Sequence, residues 1–484
     1  MAALLLTSMV WSGHAQEKNE MDLSGEWAFQ TDVMDFRRGS LDVRYCHRLQ
    51  ESIVLPGITD DYKIGYKSPY RHLDRLTRVY EYMGPAWYQR EIEIPAAWKG
   101  KRIFLYFERT HWLSSVYVGK EEVSKIDYIS IPHNHELTQW LHPGKKELIT
   151  FCIDNRYQYD THKWDHAHSE FTQINWNGVL GEIKLVAVDP VYVDDMQVYP
   201  DIKNKSIKVK MTVRNCTEHT ASGKISFHVT GKDYRLQKEV PVTVTDSITY
   251  IEEEMFLGKD IHLWNEFHPN LYTLDCKLTS SVEGQSYAHE KSTTFGMREV
   301  EAGEDHIILN GEPIHLRGTV ENAVFPKTGY APVDDASWER VLRILKEYGM
   351  NHMRFHSWCP PAAAFRMADK LGVYLEVEMP MWGKDAQPDE KRWNFFRREL
   401  RGILKEYGNH PSFILYCNGN EITGDFSFIE ELTSWITAVY TAVPQPAHVS
   451  NQTSSTLPIR LPKDTWLSTK DVLIQTGTKT RNWE

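Results

Sequence analysis

A chain of 484 residues has room for about three domains, and 41% apolar against 25% charged residues is the balance of a globular protein rather than a disordered one. Lys plus Arg numbers 55 against 66 for Asp plus Glu, so the net charge is −11 and no basic stretch can follow a nucleic-acid backbone. The unusual totals are 16 Trp and 24 Tyr, a load that suits β-rich cores and also flat rings stacking on sugar faces.

Residues 1 to 20, MAALLLTSMVWSGHAQEKNE, hold a short apolar core followed by Gly13-His14-Ala15-Gln16. That resembles the end of a secretory signal with cleavage after Ala15, although the positive n-region is missing. It predicts a periplasmic or secreted protein, and no later run of 18 apolar residues predicts a membrane span. Cysteines 46, 152, 216, 276, 359 and 417 form no CxxC pair and no metal spacing, and are expected to be free, buried thiols.

From about 21 to 190 the chain reads as short strands, among them WYQREIEIP (87 to 95), KRIFLYFE (101 to 108) and SSVYVG (114 to 119), spaced by Gly, Pro and Asn. This predicts a β-sandwich. Residues 191 to 297 predict a second one. In SIKVKMTVRN, Ile207, Val209, Met211 and Val213 alternate with Lys208, Lys210, Thr212 and Arg214, so one face is buried and the other wet.

After Arg298 the period changes. In ASWERVLRILKEYG, Trp338, Val341, Leu342, Leu345 and Tyr348 recur at helical spacing and Gly349 ends the run. MNHMRFH (350 to 356) follows as a strand, then a helix from Pro360-Pro361 through Lys370, then the strand VYLEVEMP (373 to 380). A helix over 394 to 408 repeats the string LKEYG and leads into FILYCNGNE (413 to 421). With an opening strand in HIILNGEPIHLRG (306 to 318), this alternation predicts parallel βα units over 298 to 484, and the shared LKEYG predicts one unit used twice. About four strands can be counted, where a complete eight-fold barrel needs about 250 residues.

Several segments now line up in order: LSGEWAF (23 to 29), LPG (55 to 57), WYQREIEIP, NWNGVLGEIKLVA (175 to 187), FGMREVE (295 to 301), NGEPIHLRGTVEN (310 to 322), MRFHSWCPP (353 to 361) and NGNE (418 to 421). Together they resemble glycoside hydrolase family 2, the group of β-galactosidases, β-glucuronidases and β-mannosidases. The resemblance implies a jelly-roll sugar-binding-like domain over 21 to 190, an immunoglobulin-like β-sandwich over 191 to 297, and a TIM (β/α)8 barrel that begins at 298. It implies a retaining hydrolase of terminal β-glycosidic bonds with a carbohydrate substrate and no organic cofactor. Homo-oligomerisation is left open. RGTVEN departs from the RGVN and RGxNxHE strings associated with β-galactosidases and β-glucuronidases, so no sugar follows.

By the same resemblance Glu421 is the general acid/base and Asn420 hydrogen-bonds the sugar 2-hydroxyl. Arg354 keeps the nucleophilic carboxylate ionised, and His356, Trp358, Glu321, Glu378 and Trp382 line the sugar pocket. The chemistry suits the residue types: a retaining glycosidase needs one carboxyl that holds its proton and an ionised second one about 5 Å away. An amide positions a hydroxyl without titrating, and a guanidinium favours an ionised carboxylate. Against this stands the plainer use of a Glu after a strand, at the dipole of the next helix.

The family's nucleophile is a Glu seven strands in, and none of Asp425, Glu430, Glu431, Asp464, Asp471 or Glu484 sits in such a context, so no nucleophile and no metal ligand is assigned. After about Trp435 the periodic pattern stops. This predicts a truncated or frame-shifted catalytic barrel, and with it an alternative function, a carbohydrate-binding remnant without turnover.

Overall fold

The computed structural model describes residues 19–32, 49–162, 164–170, 174–303, 306–382, 389–422, 427–441 and 448–450, with side chains to residue 434. The signal-like segment, Cys46, Asp425, Asp464, Asp471, Glu484 and the tail after 450 lie outside the described residues.

Two antiparallel sheets come first. One orders the strands Glu20–Asp22, Gly178–Val188, Arg102–Thr110 and His133–Glu136; the other orders Glu121–Ile126, Leu113–Val118, Lys146–Asp154, Pro85–Glu93, Gly25–Thr31 and Glu51–Leu55. Their inward residues meet in one core. Ile103, Leu105 and Phe107 alternate along one strand and pack with Trp27, Phe29, Tyr88 and Phe151 of the other sheet. Between 155 and 177 the described residues form a long connection without helix or strand, and such loops are usually functional.

The next unit sets a three-stranded sheet (Val191–Asp201, Ser206–Asn215, Ile248–Phe256) with a four-stranded one (Tyr234–Val244, Ala221–Gly231, Tyr272–Val282, Gln285–Phe295). Ile207, Val209, Met211 and Val213 all point into their common core, as the alternation requires.

The last unit is a parallel sheet. Numbered within it, β1 is Gly318–Glu321, β2 His352–Phe355, β3 Tyr374–Glu378, β4 Phe413–Cys417 and β5 His448–Ser450, paired in that order. Its helices are α1 (Asp335–Glu347), α2 (Ala362–Leu371), α3 (Glu390–Tyr407) and α4 (Ser427–Thr441). Asp334 caps α1 by accepting from Ser337 N at 2.8 Å, and Asp389 caps α3 through Lys391 and Arg392, starting that helix a turn before the sequence pattern did. Leu375 and Val377 of β3 face the helices, packing with Leu342, Phe365 and Leu400, while Glu376 and Glu378 face the opposite side of the sheet.

Three expectations are corrected. Residues 306 to 318 are not the opening parallel strand: Ile307–Leu309 and Glu312–Ile314 form an antiparallel hairpin, and β1 starts at Gly318. The reason is local, because Asn310 and Gly311 take φ 57° and 84°, the paired left-handed geometry of a two-residue hairpin turn. The two LKEYG strings are not equivalent either. Tyr348 is exposed and Gly349 left-handed, whereas Tyr407 is buried, stacked on Phe365 at 4.4 Å, with Gly408 still right-handed. Finally, Cys216 is exposed, while 152, 276, 359 and 417 are buried.

The units are joined by side chains that satisfy backbone groups across their boundaries. Arg109 donates to the carbonyls of Ser130, Cys359 and Pro360, and Glu399 on α3 accepts from Ile129 N at 2.6 Å. Asn409 exchanges bonds with Val198 N and Met196 O.

Candidate active site

β3 and β4 continue in register beyond their last strand residues. Met379 N bonds Cys417 O at 3.0 Å, Asn420 N bonds Met381 O at 2.9 Å, and Trp382 and Asn420 form a parallel bridge. Gly419 allows this approach: a Cβ there would lie 2.2 Å from the Met381 carbonyl oxygen, and its φ is 142°. The chain then bends at Glu421, a non-glycine residue at φ 48°. This turn brings the exposed carboxylate to Trp382, whose Nε1 donates to Glu421 Oε2 at 3.0 Å.

Behind Glu421 lies a buried charge chain. Arg354, from β2, donates through Nε to Glu378 Oε1 and through Nη2 to Asn420 Oδ1 at 3.1 Å, and it lies 3.7 Å from Glu376. Arginine only donates, so the Asn420 oxygen faces it and the amide NH2 is left to donate elsewhere. Glu378 is fully buried; burial pushes its carboxyl up to about 7 even with the Arg354 guanidinium pulling the other way. Glu376, Glu378 and Cys417 bring three ligand-type atoms within 4.8 Å of one another. One cation, Arg354, already lies within ion-pair reach of both carboxylates.

The expected pocket residues divide. Arg354, Glu378, Asn420, Glu421, Trp382 and His356 form one connected group. The His356 ring stands edge-on to Trp382 at 5.0 Å, and burial together with His166 and Arg354 drives it down to about 4. Trp358 is 3% exposed and packs against Phe355 and Phe325 in the helix-side core, donating to Glu321 O at 3.1 Å. The Glu321 carboxylate turns onto its own following backbone, accepting from Ala323 N at 2.9 Å and Val324 N at 3.2 Å.

The sequence pattern missed the contribution of the first β unit. The loop 164 to 170, WDHAHSE, reaches the strand ends: the His166 ring meets Trp382 at 4.9 Å and His356 at 4.8 Å, and Trp164 lies 6.2 Å from Trp382. A dense His and Trp cluster in a long aperiodic connection was the available signal.

The buried titrating groups give a stability prediction. Glu321, Glu378 and Glu399 are raised by burial to about 7, so their stabilisation is complete below about 4.5 and is lost as pH rises through 7. His133, His289, His352 and His356 are lowered by burial to about 4, so theirs is complete above about 6.5 and is lost as pH falls through 4. The two slopes oppose each other between those limits. Thermal unfolding across pH is expected to show a plateau on the acid side of neutrality, declining both above and below it; a monotonic rise to pH 8 would contradict these burials.

Comparison with known proteins fits this architecture. The family described as Glycosyl hydrolases family 2 matches residues 191–298. A β-galactosidase of Thermoanaerobacter pseudethanolicus is 23% identical over 73% of this chain and 47% of its own length, and a β-glucuronidase of Sus scrofa 21% over 89% and 67%. Among solved structures, Bacteroides uniformis β-glucuronidase 2, covalently bound to cyclophellitol-6-carboxylate aziridine, superposes with a TM-score of 0.71 at 18% identity over 89% of this chain and 52% of its own. The chain thus spans about half the length of two of these relatives and two thirds of the third. No helix among the described residues is long and apolar enough to cross a membrane. Residues 191–298 thus carry the signature of Glycosyl hydrolases family 2, and relatives named β-galactosidase and β-glucuronidase align along most of the chain.

Proposed function

We propose that this chain hydrolyses terminal β-glycosidic bonds by a retaining double displacement in which Glu421 is the general acid/base. The observation that carries this reading is the arrangement at the end of β4. Glu421 projects outward with its Oε2 held by an indole N–H, beside Asn420, whose oxygen is occupied by Arg354. An outward carboxyl next to an amide with donors to spare is what a sugar ring needs at its glycosidic oxygen and 2-hydroxyl. Covalent attachment of the cyclophellitol aziridine in the B. uniformis relative supports a two-step mechanism.

In this reading residues 21 to 190 are a jelly-roll sugar-binding-like domain, 191 to 297 an immunoglobulin-like sandwich, and the five parallel strands a part of a (β/α)8 barrel with the site at their carboxyl ends. Arg354 belongs to the site as the cation that favours an ionised carboxylate, and His356 and Trp382 as its walls. No nucleophile is assigned among the described residues. A secreted or periplasmic location rests on the first fifteen residues alone.

The test is release of aglycone from aryl β-glycosides, with galactoside, glucuronide, mannoside and glucoside in the panel, followed by NMR of the first-formed sugar. The β-anomer appearing before mutarotation is expected. Appearance of the α-anomer would overturn the retaining mechanism, and sugar binding without release on any member would leave a carbohydrate-binding protein instead.

A further inference from the structure

We propose that His166, supplied by the first β unit, is a positioning residue for the acid Glu421 and acts on it through Trp382. The inference rests on the catalytic reading above and adds a residue from a different unit of the fold.

The geometry is a cage around one indole. Trp382 is half-exposed, and its only described anchor to the acid is the 3.0 Å bond from Nε1 to Glu421 Oε2. Rotation of the indole would carry that donor away. Two imidazoles prevent this: His166 meets the ring at 4.9 Å and 87°, and His356 at 5.0 Å and 75°. Edge-to-face contacts of this kind fix ring orientation as well as burying area.

The imidazoles hold each other in one protonation pattern. His166 Nδ1 bonds the His356 carbonyl oxygen, which can only accept, so the proton sits on His166 Nδ1. The same N–H faces His356 Nδ1 at 3.1 Å, which is therefore the bare nitrogen, so the neutral His356 ring carries its proton on Nε2. Asp165 is the charged group beside His166; Arg354 and Glu421 are those beside His356. The loop presenting His166 is itself fixed: Asp165 accepts from Ala167 N at 2.9 Å, its other oxygen lies 3.1 Å from His168 Nδ1, and Ser169 N bonds Asp165 O at 2.9 Å.

The consequence for Glu421 is chemical. An indole only donates, so Oε2 is committed as acceptor and Oε1 is the oxygen that carries the proton to the leaving group. Without the cage both oxygens become equivalent and the proton is no longer aimed.

The experiment compares His166→Ala with His166→Asn, whose amide nitrogen can replace Nδ1 as donor, in full-length protein labelled with 5-fluorotryptophan. The Trp382 resonance is assigned by Trp382→Phe. His166→Ala is expected to broaden or split that 19F signal, and His166→Asn to preserve it. On glycosides with poor leaving groups His166→Ala is expected to lower kcat by about 10–100-fold with KM changed by no more than about twofold, and His166→Asn to recover most of the loss. An unaltered Trp382 signal and unaltered leaving-group dependence in His166→Ala would overturn the proposal. If the wild-type protein releases no aglycone, the catalytic reading fails on its own account, and the 19F signal still decides whether His166 orients Trp382.

Discussion

Replacing Glu421 by Gln is expected to lower kcat on β-glycosides with poor leaving groups by about 10²–10⁴-fold, the range that a general acid contributes. Gln keeps the carbonyl oxygen that accepts from Trp382 Nε1 and keeps the backbone at φ 48°, so the lesion is confined to the missing proton. A dinitrophenolate leaves without protonation, so the first step on such a substrate survives. The second step, in which the same carboxylate activates water, does not. The variant should then release one burst of dinitrophenolate, matched to enzyme concentration, and stall as a glycosyl-enzyme. Azide, which needs no general base, should restart turnover. Equal losses on all leaving groups, with no burst, would remove Glu421 from the acid/base role.

Replacing Arg354 by Met is expected to cost about 3–5 kcal/mol at pH 8, because it strands a buried carboxylate that the guanidinium had balanced. Glu378 is fully buried and bonded to Arg354 Nε, and no other basic side chain is bonded to it among the described residues. The cost should shrink toward pH 5. There Glu378 takes up a proton, and the stabilisation of a carboxyl with a raised folded pKa is present at low pH and lost as pH rises through that value. The double variant Arg354→Met, Glu378→Gln tests the mechanism through its coupling. Glu378→Gln removes the charge stranded at 378 and leaves only Glu376 beside the lost guanidinium, so the double variant should be more stable at pH 8 than Arg354→Met alone. Urea unfolding at pH 5 and pH 8 for all four members of the cycle measures both effects. Additive losses with no pH dependence would mean that the pair contributes packing only.

Much of the site is written in short strings, for reasons that differ by residue. Glu421 stands out because an apolar run, FILYC, ends abruptly in NGNE, at the carboxyl end of a strand buried along its length. Arg354 and Glu378 share the strand face that turns away from the helices, which alternation alone places. The helices are legible through their apolar stripes, but their starts depend on caps such as Asp389 that periodicity does not weigh. The hairpin at 307 to 314 was hidden by its apolar content, although Asn310-Gly311 carried the turn signal. Glu321 and Trp358 have the right residue types and the right distance from strands, yet their directions depend on local backbone amides and on core shape. His166 was out of reach for another reason. It lies in an aperiodic loop, and its partner His356 is 190 residues away, a pairing that only the docking of two units creates.

That separation sets an order of events during synthesis. At roughly 5–20 residues per second, the loop bearing His166 leaves the ribosome on the order of 10–40 s before His356 exists. The contacts that seat the two units on each other span still more chain: 250 residues from Arg109 to Cys359, 270 from Ile129 to Glu399, and 277 from Ser130 to Tyr407. Long closures form late, after local strands and helices have reduced the search. The β unit must therefore hold its loop ready, unpartnered, through the making of everything in between. In refolding, circular dichroism should return first and the Trp382 environment last, so the competence of this protein is a property of its final docking step and not of any one folded unit.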